Sequence, residues 1–434
     1  MISTERPRLF VLTDICNEPD DEQSLIRLLV FSSDYEIEGL VATTSVWLRD
    51  RVVPERILAT LDAYADVLPM LSRHKDGFPG AEQLRSVVAA GHAGFGRSAY
   101  ADRSISSGAE LLIAAAQKDD PRPLWVGVWG GASVLAEALE RAPDPEKLAR
   151  KLRVYSISDQ DDAGLWLRTR FPELFYIVSP STIDEKDYHK ATWTGISGDR
   201  WYKNAPGADF STVSDAWLAE NIQSKGPLGA LYPNVAYIME GDTPSFLSLI
   251  DNGLAAHESP DWGGWGGRYR LRQPLGESRP IWTNDRDTVV GSDGQQYTSD
   301  QASIWRWRGD FQNAFAARMD WTIKPPEQAN HPPQVVVNGI AGAEVLQLSA
   351  QPGERVSLSA AGTSDPDGDG LLYRWLLYPE AGTFTGAASL SATDGGETTL
   401  TLPETGQGEL HVILAVTDDG APPLTGYRRV IVTV

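Results

Sequence analysis

The chain has 434 residues, 59 Asp and Glu against 38 Lys and Arg for a formal charge of −21, and 41% hydrophobic residues. That length gives room for roughly two to four domains with real cores. The acidity excludes a nucleic-acid partner short of a local basic patch, the lack of an 18-residue apolar run excludes a membrane-spanning helix, and the single cysteine, Cys16, excludes an internal disulfide framework.

In chain order, apolar runs at 9–14, 36–43, 124–129, 152–157, 174–178 and 235–239 predict β-strands. Helical patterns follow several of them, at 20–31, 53–64, 133–142 and 245–252. Strand–helix alternation with unbroken apolar strands predicts an α/β domain, a mostly parallel sheet with helices on both faces. From 253 to 321 the pattern dissolves into Gly-, Trp- and Arg-rich stretches, read as long loops closed by a helix at 310–319. Two Pro-Pro pairs, Pro325-Pro326 and Pro332-Pro333, mark a short, stiff, extended linker. Beyond it, period-two runs at 335–337, 356–359, 372–375, 398–402, 411–417 and 427–434 predict an all-β sandwich. The expected organisation is therefore an α/β domain over 1–323, a linker over 324–333 and a sandwich over 334–434.

Acids collect at the predicted strand ends. The first strand runs into Asp14, Asn17, Glu18, Asp20 and Asp21, the fourth into Asp159, Gln160, Asp161 and Asp162, and the sixth into Glu240 and Asp242. Open parallel sheets bind ligands beyond the carboxyl ends of their strands, so the three clusters are expected to meet at one edge. Each alone has a structural explanation: Asp20 and Asp21 suit a helix start, Asp159–Asp162 a solvated turn, and Asp242 a cap. Together they would repel one another without a cation, and a hard ion such as Ca²⁺ takes about six to eight oxygens.

The ordered motifs Glu18-Pro19-Asp20-Asp21, Val128-Trp129-Gly130-Gly131, Ser158-Asp159-Gln160-Asp161-Asp162 and Glu240-Gly241-Asp242-Thr243-Pro244-Ser245-Phe246 carry a resemblance. With Trp262-Gly263-Gly264-Trp265-Gly266-Gly267-Arg268, they resemble the nucleoside-hydrolase-like domain of the cellulose-binding Sde182 family over about residues 8–322. The resemblance implies a nucleoside-hydrolase-like fold with a companion sandwich of the Ig or cadherin type. It implies calcium held by Asp14, Asp21 and Asp242 with a backbone carbonyl near Trp129 or Gly130, Asp14 as the base on a water, and Asp20 on a sugar hydroxyl. Asp161 or Asp162 would contact the sugar, and Asn17, Gln160 and Glu240 share the same clusters. Two departures stand out: the spacing from Asp14 to the Asp pair is longer than in true nucleoside hydrolases, and Gly241 replaces the His that assists base departure in some of them.

Loss of that His favours glycosidic oxygen as leaving group, which needs a carboxylic acid donor. Glu18, Asp159, Asp161 and Glu240 remain open for that role. Trp47, Trp129, Trp166, Trp262 and Trp265 are candidates for stacking on sugar faces. His189 reads as a lone polar-loop residue, and Cys16 as a small filler near the site. Asp365-Pro366-Asp367-Gly368-Asp369-Gly370 matches the first half of an EF-hand loop, but Leu376 stands where the bidentate Glu is required, so a structural turn is expected, with weak Ca²⁺ binding there as the alternative. The reading is a calcium-assisted glycoside hydrolase acting on a plant or microbial polysaccharide or oligosaccharide, furanosides included. A non-catalytic cellulose-binding protein and, less favoured, a ribonucleoside hydrolase are the alternatives. A carbohydrate partner, no nucleic acid, no membrane, a periplasmic or secreted location and a homo-oligomer among the open oligomeric states complete the expectation.

Overall fold

The computed structural model describes residues 6–179, 190–198 and 206–434, so His189 lies outside the described residues. Strands β1 (Arg8–Thr13), β2 (Glu36–Ala42), β3 (Val88–Ala90), β4 (Leu124–Val128), β5 (Leu152–Ser156) and β6 (Phe175–Val178) are joined by β7 (Tyr269–Arg272) and β8 (Ile281–Asn284). The eight form one sheet in the order β3-β2-β1-β4-β5-β6-β8-β7, and only the β7–β8 pair is antiparallel. β1 and β4 are buried along their whole length, as strands covered on both faces must be. Alternation divides their side chains: Leu9, Val11 and Trp125 enter one core, while Phe10, Leu12, Val126 and Val128 enter the other.

Helix α1 (Asp20–Val30) follows β1, and α2 (Pro54–His74) follows β2. α2 outruns the expected 53–64 by passing through Pro69, because Val67 and Leu71 continue its buried stripe. The expected helix at 245–252 is only Pro244–Leu247, whereas the closing helix is present as Arg308–Asp320. Residues 235–239 form an irregular segment and not a strand. The sheet is completed instead by β7 and β8, within the stretch read as loops; the same stretch also forms a separate two-stranded hairpin, β9 (Asp287–Val290) with β10 (Gln296–Ser299).

The C-terminal region is the expected sandwich, opened by a short antiparallel pair, β11 (Val336–Val337) with β12 (Ile340–Ala341). A four-stranded sheet orders β13 (Leu346–Ser349), β19 (Thr425–Thr433), β18 (Glu409–Asp418) and β15 (Leu371–Leu377). It faces a three-stranded sheet of β14 (Arg355–Ser359), β17 (Glu397–Thr401) and β16 (Ser389–Leu390), with Trp375, Leu400, Val412 and Val430 in the core between. The β13–β19 pair is parallel, and the other pairs are antiparallel.

Residues 324–333 do not behave as a free spacer. Pro326–Gln328 is a 3₁₀ turn, Trp321 Nε1 donates to Asn330 O (2.9 Å), and the His331 ring lies 5.0 Å from the Trp321 ring. The sandwich is fused to the α/β unit along β19: Tyr427 N donates to Asn252 O (3.1 Å) and Arg429 N to Gly253 O (3.0 Å). The core beside α1 continues into Tyr378, Ile413 and Tyr427 of the sandwich.

Candidate active site

The sheet order reverses between β1 and β4, which opens a crevice at their carboxyl ends. Asp14 leaves β1 there, and Trp129-Gly130-Gly131 leaves β4. A Cβ on Gly130 would lie 2.6 Å from Asp14 Oδ1, and one on Gly131 would lie 2.5 Å from both Asp161 Oδ2 and Thr44 O. The two glycines therefore let a β1 carboxylate and a β5 carboxylate close on the β4 turn from either side.

Asp20 and Asp21 open α1, where the exposed N–H groups and the dipole favour acids. Thr13 Oγ1 donates to Asp21 Oδ1, and Ser45 Oγ donates to Asp14 Oδ2 at 2.5 Å. The next turn of α1 holds the third loop. Glu240 N donates to Gln23 Oε1 (3.0 Å), Thr243 Oγ1 lies 3.0 Å from Ser24 Oγ, and Arg27 Nε lies 2.5 Å from Glu240 Oε2. Asp242 is thereby set against the start of the same helix. Cys16 (φ 76°) and Glu240 (φ 55°) occupy the left-handed region that such residues seldom adopt, one in the loop after β1 and one in the segment leading to Asp242.

Oxygens of Asp20, Asp21 and Asp242 converge within 4.8 Å of one another, and all three residues are buried, as is Asp14. Among the described residues none of these four forms an ion pair. Burial, then the neighbouring carboxylates, holds Asp20, Asp21 and Asp242 well above the usual carboxylate range, while burial raises Asp14 against its Ser45 hydrogen bond. Asp242 Oδ2 is fully buried with no hydrogen-bond partner. An orphaned buried oxygen among converging carboxylates is a donor set for a hard cation, and the residues present fit a bound metal ion. The convergent trio contains Asp20 where Asp14 was expected; Asp14 borders it.

Asp161 Oδ1 accepts from Ala163 N (2.9 Å), its Oδ2 is buried without a partner, and burial pushes its carboxyl up to about 6. Gln160 Nε2 donates to Trp129 O (2.6 Å), and half-buried Asn17 donates its N–H to Asp14 O (3.2 Å). Half-buried Glu18 adds to the charge felt by Asp20. Trp47 is 45% exposed on a loop whose Trp47 and Leu48 N–H groups both rest on Ser45 Oγ, which ties that loop to Asp14. Trp166 is half-buried under the Arg97 guanidinium (3.9 Å), and Arg97 N in turn donates to exposed Asp162 Oδ1 (2.8 Å).

Other expected members lie elsewhere. Trp129 is 1% exposed in the core, its Nε1 donating to Ser245 Oγ (2.9 Å), so no sugar face can reach its ring. Trp265 is buried against Phe311 and Tyr427, and Trp262 packs on His411, which places both at the domain junction. Glu240 is fully buried as counter-ion to Arg27, with Tyr232 and Thr243 on its remaining lone pairs, so it cannot touch substrate. Asp159 is held by Arg168 through two hydrogen bonds (2.8 and 2.7 Å). The Cys16 thiol is pushed up to about 11, chiefly by burial, which suits the filler role. Thr13, Ser45, Gln23 and Ser24 escaped the sequence reading; their only mark was position just past a strand or one turn beyond the Asp pair.

Comparison with known proteins identifies the fold family. Residues 8–269 match the family model of the cellulose-binding Sde182 nucleoside hydrolase-like domain, and residues 355–434 match that of the Sde0182 C-terminal domain. A solved nucleoside hydrolase-related hypothetical protein from Saccharophagus degradans, described as associated with carbohydrate metabolism, is 35% identical with a TM-score of 0.83. The match covers 99% of this chain and 100% of that one. The effector protein XOO4466 is 13% identical over 74% of this chain and 95% of its own, at a TM-score of 0.34. Human CDH23 EC21-23 is 20% identical over 24% and 34%, at 0.17. Both scores are too low to bear on fold or function. No curated protein matches.

Proposed function

This chain belongs to the Sde182 nucleoside hydrolase-like family, and from that premise we propose that it hydrolyses glycosidic bonds of a plant or microbial polysaccharide or oligosaccharide, furanosides included. The observation that carries the reading is the set of buried, unpaired carboxylates at the β1–β4 crevice, with Asp242 Oδ2 orphaned and Asp161 raised beside them. Asp20, Asp21 and Asp242, with Asp14 at their border, would hold Ca²⁺. When bound, that ion lowers the pKa of a water and orients it for attack on the anomeric carbon.

The chain's own residues supply the remaining steps. Asp14, fixed by Ser45 and given proton affinity by burial, accepts the proton of the attacking water. Asp161 stays protonated up to about pH 6 and can donate to the departing glycosidic oxygen. Glu240 and Asp159 are committed to Arg27 and Arg168, and Asp161, whose Oδ2 is buried without a partner, is the donor this reading takes over Glu18. Asp20 takes a sugar hydroxyl, and growing positive charge on the ring is met by the surrounding carboxylates. Trp47 and Trp166, with Asn17, Gln160 and Asp162, are the sugar contacts at the mouth. Gly241 leaves no imidazole for a departing base, so a nucleoside is the poorer substrate. A carbohydrate-active role also supports a periplasmic or secreted location.

The test is product release from a glycan panel with and without chelator. Release should fall about tenfold per pH unit above pH 6, because Asp161 must be protonated to act. Asp161→Asn should lower kcat by about 10²–10⁴ and remove that alkaline limb. The family's description as cellulose-binding favours a second reading, a sugar-binding protein without turnover. Retention on cellulose with no sugar released by any glycan would select it over hydrolysis.

A further inference from the structure

The sandwich carries a second acid group, remote in sequence from the crevice. Asp365, Asp367 and Asp369 each present an oxygen within 4.8 Å of the others, in a turn that matches the opening of an EF-hand loop. That loop fails at its twelfth position because Leu376 lies inside β15, paired with Ile413, and never returns to the turn. The adjoining strand end does return. Leu371 pairs with Asp418, Gly370 N donates to Asp419 Oδ1 (2.7 Å), and Asp419 N donates to Gly370 O (3.0 Å).

Asp418 is 1% exposed. Its Oδ1 accepts from Asn330 Nδ2, Gly420 N and Leu424 N, while its Oδ2 is buried without a partner, as is Oδ2 of Asp365. Burial chiefly, and the charge of Asp365 among the other causes, holds the Asp418 carboxyl above its ordinary range, so the two carboxylates are electrostatic neighbours. The one basic group in ion-pair reach of these acids, among the described residues, is His331, with Nδ1 3.0 Å from Asp367 Oδ2. Carboxylates delivered across the sheet thus border the turn, and orphaned buried oxygens call for a cation.

We propose that the 365–370 turn with the end of β18 binds a calcium ion, separate from the crevice, and so clamps residues 330–331 to the sandwich. An all-oxygen, carboxylate-rich turn with irregular geometry suits Ca²⁺ better than the strict octahedron of Mg²⁺. The clamp follows from shared atoms: Asn330 Nδ2 rests on Asp418 Oδ1 (2.8 Å), and His331 N rests on Asp367 Oδ2 (2.7 Å). An ion that fixes the acids fixes the start of the sandwich.

Calcium titration of the full chain by calorimetry, with equilibrium dialysis for stoichiometry, tests this. The Asp365→Asn/Asp369→Asn variant should lose one equivalent, of Kd about 10⁻⁴–10⁻³ M as in extracellular modules, while Asp242→Asn keeps it. In chelator the pair variant should melt no lower than the parent, since Asn preserves the turn's acceptors and removes repulsion. Should that variant fail to fold, Asp418→Asn reads the same equivalent. Unchanged stoichiometry in the turn variants, or a parent whose calcium is wholly removed by Asp242→Asn, overturns the site. Neither result depends on whether the crevice is catalytic.

Discussion

Arg27 and Glu240 are buried together beneath the acid cluster, a guanidinium and a carboxylate 2.5 Å apart with no access to water. Each was taken out of water at a cost that only its partner offsets. Glu240→Gln would leave the Arg27 charge uncompensated and should destabilise the chain by about 3–5 kcal/mol, read from urea unfolding. An effect under 1 kcal/mol would show that Tyr232 and Gln312, both hydrogen-bonded within the same network, suffice without the charge. Glu240 also marks where sequence stops informing. Its acidity at a predicted strand end was plain, but its partner lies 213 residues earlier in the chain. A carboxylate that binds ligand and one that neutralises a buried arginine have the same signature until the fold brings the arginine in. The same holds for Trp129 and Trp47: both follow strand ends, and only packing puts one ring in the core and leaves the other exposed.

The loop after β1, the first turn of α1 and the segment before Pro244 each deliver part of one negative cluster. Strands β1, β2, β4, β5 and β6 were legible because a strand covered on both faces must be an unbroken apolar run, whereas the short, half-buried β3 was missed. Residues 235–239 have the same composition yet are irregular, since Gln23 spends its side chain on Pro233 O and Glu240 N and bends the segment onto α1. Their delivery of Asp242 survives that misreading, because the helix holds the acid where a strand end would have. The cluster's electrostatics fix a pH dependence. Asp20, Asp21 and Asp242 are raised in the folded state, so without cation the stability they contribute is complete below their unfolded values. It is lost as pH rises through the folded ones. A bound cation removes that penalty, so the rise in Tm on adding Ca²⁺ should grow from pH 5 to pH 8. A calcium shift that is flat or shrinks over this range would mean the acids are not the ligands.

At the scale of the whole chain, the proline pairs suggested two bodies joined by a spacer, and the boundary in composition does fall there. Composition does not record docking, and the contacts that fuse the two units come from single residues scattered from Asn252 to Arg429. Arg429 is the clearest of them. Its buried guanidinium donates to Leu254 O (2.7 Å), Trp262 O (3.0 Å) and Gly263 O (2.8 Å), all in the α/β unit, while its own strand belongs to the sandwich. Burial lowers its pKa to about 10, still charged at neutral pH, and His411 beside it is pushed down to about 3, hence neutral. Gly263, between Trp262 and Trp265, brings its backbone close to this arginine and to Tyr378. Because the core is continuous across the junction, calorimetry should show one unfolding transition for the parent chain. Arg429→Ala strands three carbonyls at about 1–3 kcal/mol each and opens a cavity, so it should lower that transition by at least about 3 kcal/mol or split it in two. Two resolved transitions in the parent would instead mean that the sandwich folds as an independent module.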